Sequence, residues 1–257
     1  MWLAHVIVIG HILPVNTIKI SIIRLGQKMD RTNFNKLNNL NQKLVNEIES
    51  KTRCEVEVVV VSKQPHLSCT VELNKIQIQT PEDFIFSDES IWHELNHILR
   101  VCTMEVPTLE ECPSTDGADF QIAMQLRSFD NDMEHLVIVP EEIKLFPHRA
   151  EEWEDKVRNA LDKNNGRVSG EPLLRHWLFV NHVLPKSDLV GVLKKFVDET
   201  KIQKRADGIL EIIPPLIANK EELVRAYFEH ASMPIKNLCF KYFDFKNKEK
   251  NYIPLLE

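Results

Sequence analysis

Apolar positions recur along this chain in two rhythms, and the switch between them outlines its architecture. From Asn33 to Ser50 the apolar residues Phe34, Leu37, Leu40, Leu44, Val45 and Ile48 fall three and four apart, the spacing of one helix face. Cys54 to Ser62 is Val-rich, with Val56 and Val58 to Val61, and predicts a buried strand. Cys69 to Thr80 alternates, with Val71, Leu73, Ile76 and Ile78 around Asn74-Lys75, and predicts one kinked strand or a small hairpin. Helical spacing returns after Ser87. Ile91, Leu95, Ile98 and Cys102 form a stripe that Trp92 and Leu99 widen, and Ser87 and Asp88 are good N-caps. A second such helix is predicted over Asp116 to Val139, capped by Asp116 and ended with the help of Pro140. Its stripe is Ile122, Leu126, Phe129, Met133 and Leu136/Val137.

Beyond Pro140 the rhythm stays helical over Glu151 to Leu161, Pro172 to Val183, Ser187 to Glu199 and Lys220 to His230. Asn164-Asn165-Gly166, Ser169-Gly170 and Pro214-Pro215 punctuate it. Leu238 to Phe245 alternates with aromatics and predicts a late strand before the basic tail Lys246, Lys248 and Lys250. The pattern implies an α+β protein in three parts: an N-terminal extension over 1–29, a core over 30–148, and a mostly helical domain over 149–257. Met29-Asp30 opens the first clean helical segment, so Met29 is expected to be the translation start and residues 1–28 an extension or a dispensable strand.

One stretch carries chemistry. His93-Glu94-Leu95-Asn96-His97 matches H-E-x-x-H. On a helix, residues four apart lie one above the other, so both imidazoles can hold one metal ion. Glu94 lies about 100° further round, where it reaches a metal-bound water rather than the metal. No Gly or Pro interrupts the run from Ser87 to Cys102.

This stretch resembles the zincin metallopeptidases. The likeness is specific over its five residues, modest over about Thr52 to Pro140, and does not extend to the rest. It implies that His93 and His97 bind zinc, that Glu94 is the general base, and that a small sheet and a second ligand helix complete a zincin-type core. The metzincin pattern wants Gly and then His at the places held here by Arg100 and Thr103. The likeness is therefore gluzincin-like, with a carboxylate from a later helix as third ligand.

Glu134 flanks the apolar stripe of the Asp116 to Val139 helix and is the favoured third ligand, with His135 as runner-up. Asp130, one turn before Glu134, is placed to accept from a ligand imidazole. The likeness also implies that the Cys69 to Thr80 segment is an edge strand that pairs with extended peptide. Arg100, His135 and Tyr227 are candidates to stabilise an oxyanion. The expected activity is hydrolysis of a protein or peptide substrate by a zinc-activated water.

Two other classes fit the same residues: a zinc hydrolase of a non-peptide substrate, and a regulatory or binding module with a zinc site. Glu94 favours catalysis, because a purely structural site needs no general base.

Composition narrows the field. Of 257 residues 43% are hydrophobic and 27% charged, which is ordinary for a globular chain. A net charge of −6 argues against a sequence-independent grip on nucleic acid. No apolar run is long enough for a membrane span, and no phosphate-binding Gly motif or G-x-S-x-G elbow occurs. Five cysteines without C-x-x-C spacing argue against a disulfide framework and for a reducing, cytoplasmic location. Cys102 continues the apolar stripe and is expected in the core, and His176 and His182 as structural or surface residues. The helical C-terminal domain is expected to cover the cleft or to bind a protein partner.

Overall fold

The computed structural model describes residues 37–62, 66–82, 87–113, 120–163, 168–233 and 237–255. The N-terminal extension, the start at Met29, the Asp116 cap and the Asn164-Asn165-Gly166 loop lie outside the described residues. The described chain is a mixed α+β protein, as its two rhythms predict. It forms two compact units, one from the described residues up to Val106 with Tyr242–Asn251, the other from Pro107–Lys241 with Tyr252 onward.

The first unit comprises α1 (Asn39–Thr52), β1 (Val56–Val60), β2 (Ser68–Glu72), β3 (Lys75–Thr80) and α2 (Asp88–Cys102). A turn at Leu73-Asn74 folds β3 back on β2, so the alternating segment is a hairpin. The sheet order is β1-β3-β2, with β1 parallel to β3 and β2 antiparallel to it. The strand just before α2 is therefore the central one, and β2 is the edge where peptide pairing was expected. Instead of being buried throughout, β1 is half-buried along its length.

Ile76 and Ile78 of β3 meet Val45 and Ile48 of α1 and Ile91, Leu95, Ile98 and Cys102 of α2 in one core. Each such aliphatic side chain withdrawn from water stabilises the fold by roughly 1.5–3 kcal/mol. The two helices are also tied at their starts. Asp88 Oδ1 accepts from the Asn38 N–H at 3.1 Å and from Asn41 Nδ2 at 3.0 Å, and Asn41 is fully buried. The basic tail is likewise structural. Lys248 donates to the Leu73 carbonyl at 2.8 Å, and Lys250 pairs with Glu72 at 2.6 Å.

The second unit begins with β4 (Thr108–Glu111) and α3 (Phe120–Leu145). It continues through α4 (Arg149–Lys163), α5 (Gly170–Val183), α6 (Leu189–Glu199), α7 (Gln203–Ile212) and α8 (Lys220–Ala231). β5 (Leu238–Asp244) pairs antiparallel with β4, and β6 (Glu249–Pro254) follows it in the sheet. The chain passes from the first unit to the second at 106/107, and within the second unit α3 packs on β4 and α5.

Nor does α3 stop at Pro140. The proline removes one helical hydrogen bond, but the turn beyond it is anchored by Glu142. That carboxylate is fully buried and accepts from Arg149 Nε at 2.8 Å and Trp153 Nε1 at 2.9 Å. Cys112 and Cys239 are joined by a disulfide, against the expectation from cysteine number. The β4–β5 register places Glu110 opposite Cys239, and the Cys112 and Cys239 Cα atoms lie 5.1 Å apart, inside bonding range. With one bridge present, cysteine usage no longer argues for a reducing compartment. Among the described residues no helix is long and apolar enough to cross a membrane.

Two partly buried groups of the second unit oppose one another in acid. His176 has no hydrogen-bond partner at Nε2, and burial, then Arg175, holds its pKa down to about 4. Burial lifts Asp132 to about 6, against the pull of Arg175. The His176 penalty is absent above its ordinary 6.5 and grows as pH falls toward about 4. The Asp132 penalty is absent below its ordinary 3.8 and grows as pH rises to about 6. His176→Leu is expected to leave only the second slope. Relative to wild type, its melting temperature should fall as pH rises from about 4 to 6. Parallel melting profiles for the two proteins would contradict the assignment.

Candidate metal centre

The motif helix is built as its sequence predicts. Ser87 is extended, its hydroxyl accepts from the Ser90 N–H at 3.3 Å, and Asp88 and Glu89 put negative charge at the helix N-terminus. Ile91, Leu95, Ile98 and Cys102 are buried along one stripe. Burial, then the nearby Cys54, pushes the Cys102 thiol up to about 12, which fits a core residue rather than a metal ligand.

His93 and His97 stand one turn apart with their rings edge to face, centroids 4.9 Å apart. Their Nε2 atoms converge to 3.2 Å. Tetrahedral zinc with bonds of about 2.0–2.1 Å to nitrogen sets two of its ligands about 3.3 Å apart, so the pair fits the ion without rearrangement. His93 is buried and His97 half-buried.

Glu94 is 9% exposed, an unusual place for a carboxylate. It lies three residues after Ile91 and four before Ile98, so it flanks the buried stripe of α2. β2 packs on this helix, and burial first, then the neighbouring Glu94 charge, holds the Cys69 thiol of β2 well above its ordinary pKa.

In the second unit, Glu134, the favoured third ligand, and Asp130 belong to one charged cluster. Glu134 is 5% exposed, as expected for a side chain flanking the stripe of α3. Its Oε1 lies 2.9 Å from Lys220 Nζ on α8. Asp130 Oδ1 lies 2.8 Å from the same ammonium and accepts from the Leu109 N–H at 3.1 Å. Burial raises the Asp130 pKa, and Lys220 offsets part of the rise. Burial alone would lower Lys220, but Asp130 and Glu134 outweigh it and hold the ammonium above its ordinary value.

Asp130 thus serves Lys220 and the backbone of β4. His135 is half-buried, its ring 4.9 Å from Trp153 and its Nε2 3.2 Å from Asn131 Nδ2. Tyr227 leaves the group of oxyanion candidates. It is fully buried, and its hydroxyl donates to Glu171 at 3.2 Å.

Two participants escape the sequence reading. Lys220 carried one signal: it directly follows the Asn219 cap at a helix N-terminus, where a cation opposes the helix dipole unless it serves something else. Cys69 carried none, because its neighbours are set by how β2 lies on α2. No protein-family model, curated protein or solved structure matches this chain.

Proposed function

We propose that this chain is a zinc-dependent metallopeptidase with a zincin-type core, acting on a protein or peptide substrate. The observation that carries the proposal is the convergence of His93 and His97 Nε2 atoms to 3.2 Å, with the buried Glu94 between them on the same helix. A helix needs no such combination for stability, since a buried carboxylate costs free energy unless it is used or satisfied.

Of the two candidates that the sequence offers on α3, His135 is proposed as the third ligand in place of Glu134, on the commitments of Glu134 within the second unit. Glu134 is already neutralised by Lys220 inside the second unit, and moving it to a metal would leave that ammonium with Asp130 alone. An imidazole is also a suitable zinc ligand, as in three-histidine hydrolase sites.

Zinc, when bound, supplies Lewis acidity, which acidifies a water and polarises a carbonyl. Glu94 then does the proton work: it takes the proton of the attacking water and returns it to the leaving amine. Because it starts as a carboxylate and ends as one, a single residue serves both steps.

The third ligand is tested by zinc content after dialysis. His135→Ala is expected to lose the metal. Glu134→Gln keeps the volume and one hydrogen bond to Lys220, and is expected to retain it. Loss in Glu134→Gln with retention in His135→Ala would return the ligand to Glu134.

A further inference from the structure

We propose that Cys54 is a site of modification by hydrogen peroxide, and that Lys248 is the amine that resolves it by closing a reversible sulfur–nitrogen bridge inside the first unit. The inference goes beyond the metal centre and does not depend on it. It starts from geometry. Cys54 lies in the short link between α1 and β1, and Lys248 in the turn between β5 and β6. Lys248 Nζ donates to Cys54 Sγ at 3.7 Å. Two main-chain carbonyls hold the pair together. The Leu73 carbonyl accepts from the thiol at 3.4 Å and from the ammonium at 2.8 Å. The Thr52 carbonyl accepts from the same two groups at 3.6 and 3.3 Å. Sulfur and nitrogen thus share both acceptors and face each other.

The contact joins distant parts of the chain, and Lys248 makes it from a left-handed backbone with φ of 58°, a conformation uncommon outside glycine. A clamp on the turn needs the carbonyls alone. The thiol at the same point adds a nucleophile beside an amine. Cys54 is 9% exposed against 3% for Cys102, and the adjoining Lys248 is exposed, so a water-sized oxidant has a route to the sulfur.

The steps balance. The Cys54 sulfur attacks one peroxide oxygen and the O–O bond breaks. The other oxygen leaves as water with the thiol proton, and the sulfur, oxidised by two electrons, becomes a sulfenic acid. Lys248 Nζ gives one proton to solvent and attacks that sulfur. The S–N bond forms, the S–O bond breaks, and the hydroxyl leaves as water with a proton from the nitrogen. Two equivalents of an external thiol return the two electrons, restore Cys54 and Lys248, and depart as a disulfide. Because the amine is already in contact, and its four-carbon stem is flexible, condensation outruns a second peroxide that would carry the sulfur to sulfinic acid. Burial, then Cys54 itself, holds the Cys102 thiol up at about 12, so it does not compete as a nucleophile.

The test is mass spectrometry of the full chain treated with equimolar hydrogen peroxide and digested without reductant. Wild type is expected to yield the Cys54 and Lys248 peptides joined, at their summed mass less two hydrogens, and dithiothreitol to release both unmodified. Lys248→Arg keeps the charge and the donors to both carbonyls, but a guanidinium does not condense. In that variant, its fold checked by circular dichroism, dimedone is expected to trap the Cys54 sulfenic acid about tenfold more than in wild type. Equal dimedone labelling of Cys54 in the two proteins overturns the role of Lys248. Wild type whose Cys54 stays unmodified, or is joined to another residue or at another mass, overturns the proposal without recourse to the variant. Neither zinc content nor peptide hydrolysis enters either result, so the metallopeptidase reading stands or falls separately.

Discussion

Glu94→Gln is expected to keep zinc and fold while lowering hydrolysis by about 10²–10⁴. Gln is nearly isosteric with Glu, so the packing of β2 on α2 is preserved. What it cannot do is take a proton from water. Glu94 is placed to flank the imidazole pair rather than join it, so metal content should not change. The measurement is hydrolysis of the peptide library at matched zinc content. A variant with confirmed zinc and wild-type rate would remove general-base catalysis from the account. A binding or regulatory module would then be the better description.

The second large effect is on stability. Lys220→Met leaves the half-buried Asp130 and the buried Glu134 facing each other in the second unit, with no cation between them. Removing one partner from a buried charge group typically costs 3–5 kcal/mol. For a unit of this size that corresponds to a fall in melting temperature of about 10 °C. The triple variant Lys220→Met, Asp130→Asn, Glu134→Gln removes the uncompensated charge and is expected to recover most of the loss. If Lys220→Met melted within about a degree of wild type, the cluster would be peripheral to the unit's stability. The argument that Glu134 is already committed would then weaken with it.

Helix α2 was the most legible element, because everything that makes it is local. Its cap, its acidic first turn, its stripe and its paired histidines all lie within Ser87 to Cys102. The orientation of Glu134 was legible for the same reason: a position flanking the α3 stripe is buried whatever it meets. What it meets was not, since Lys220 comes from α8 and no local rule links the two.

Other features were hidden by weak patterns. β4 is Thr-Leu-Glu-Glu, and only its register against β5 makes it a strand. α7 carries Gly208, whose missing side chain admits the His230 ring, so a residue that lowers helix propensity is required by packing. The Cys112–Cys239 bridge is a consequence of that same β4–β5 register, which cysteine spacing cannot report.

The convergence of His93 and His97 is the centre of the account, and metal analysis of the full chain tests it most directly. Protein purified without chelator and dialysed is expected to carry about one zinc per chain. His93→Ala and His97→Ala should each lose it while retaining the wild-type fold by circular dichroism. Metal-free wild type should take up one equivalent of added zinc. A wild-type chain that binds none, or a folded His97→Ala that keeps full occupancy, would contradict the account.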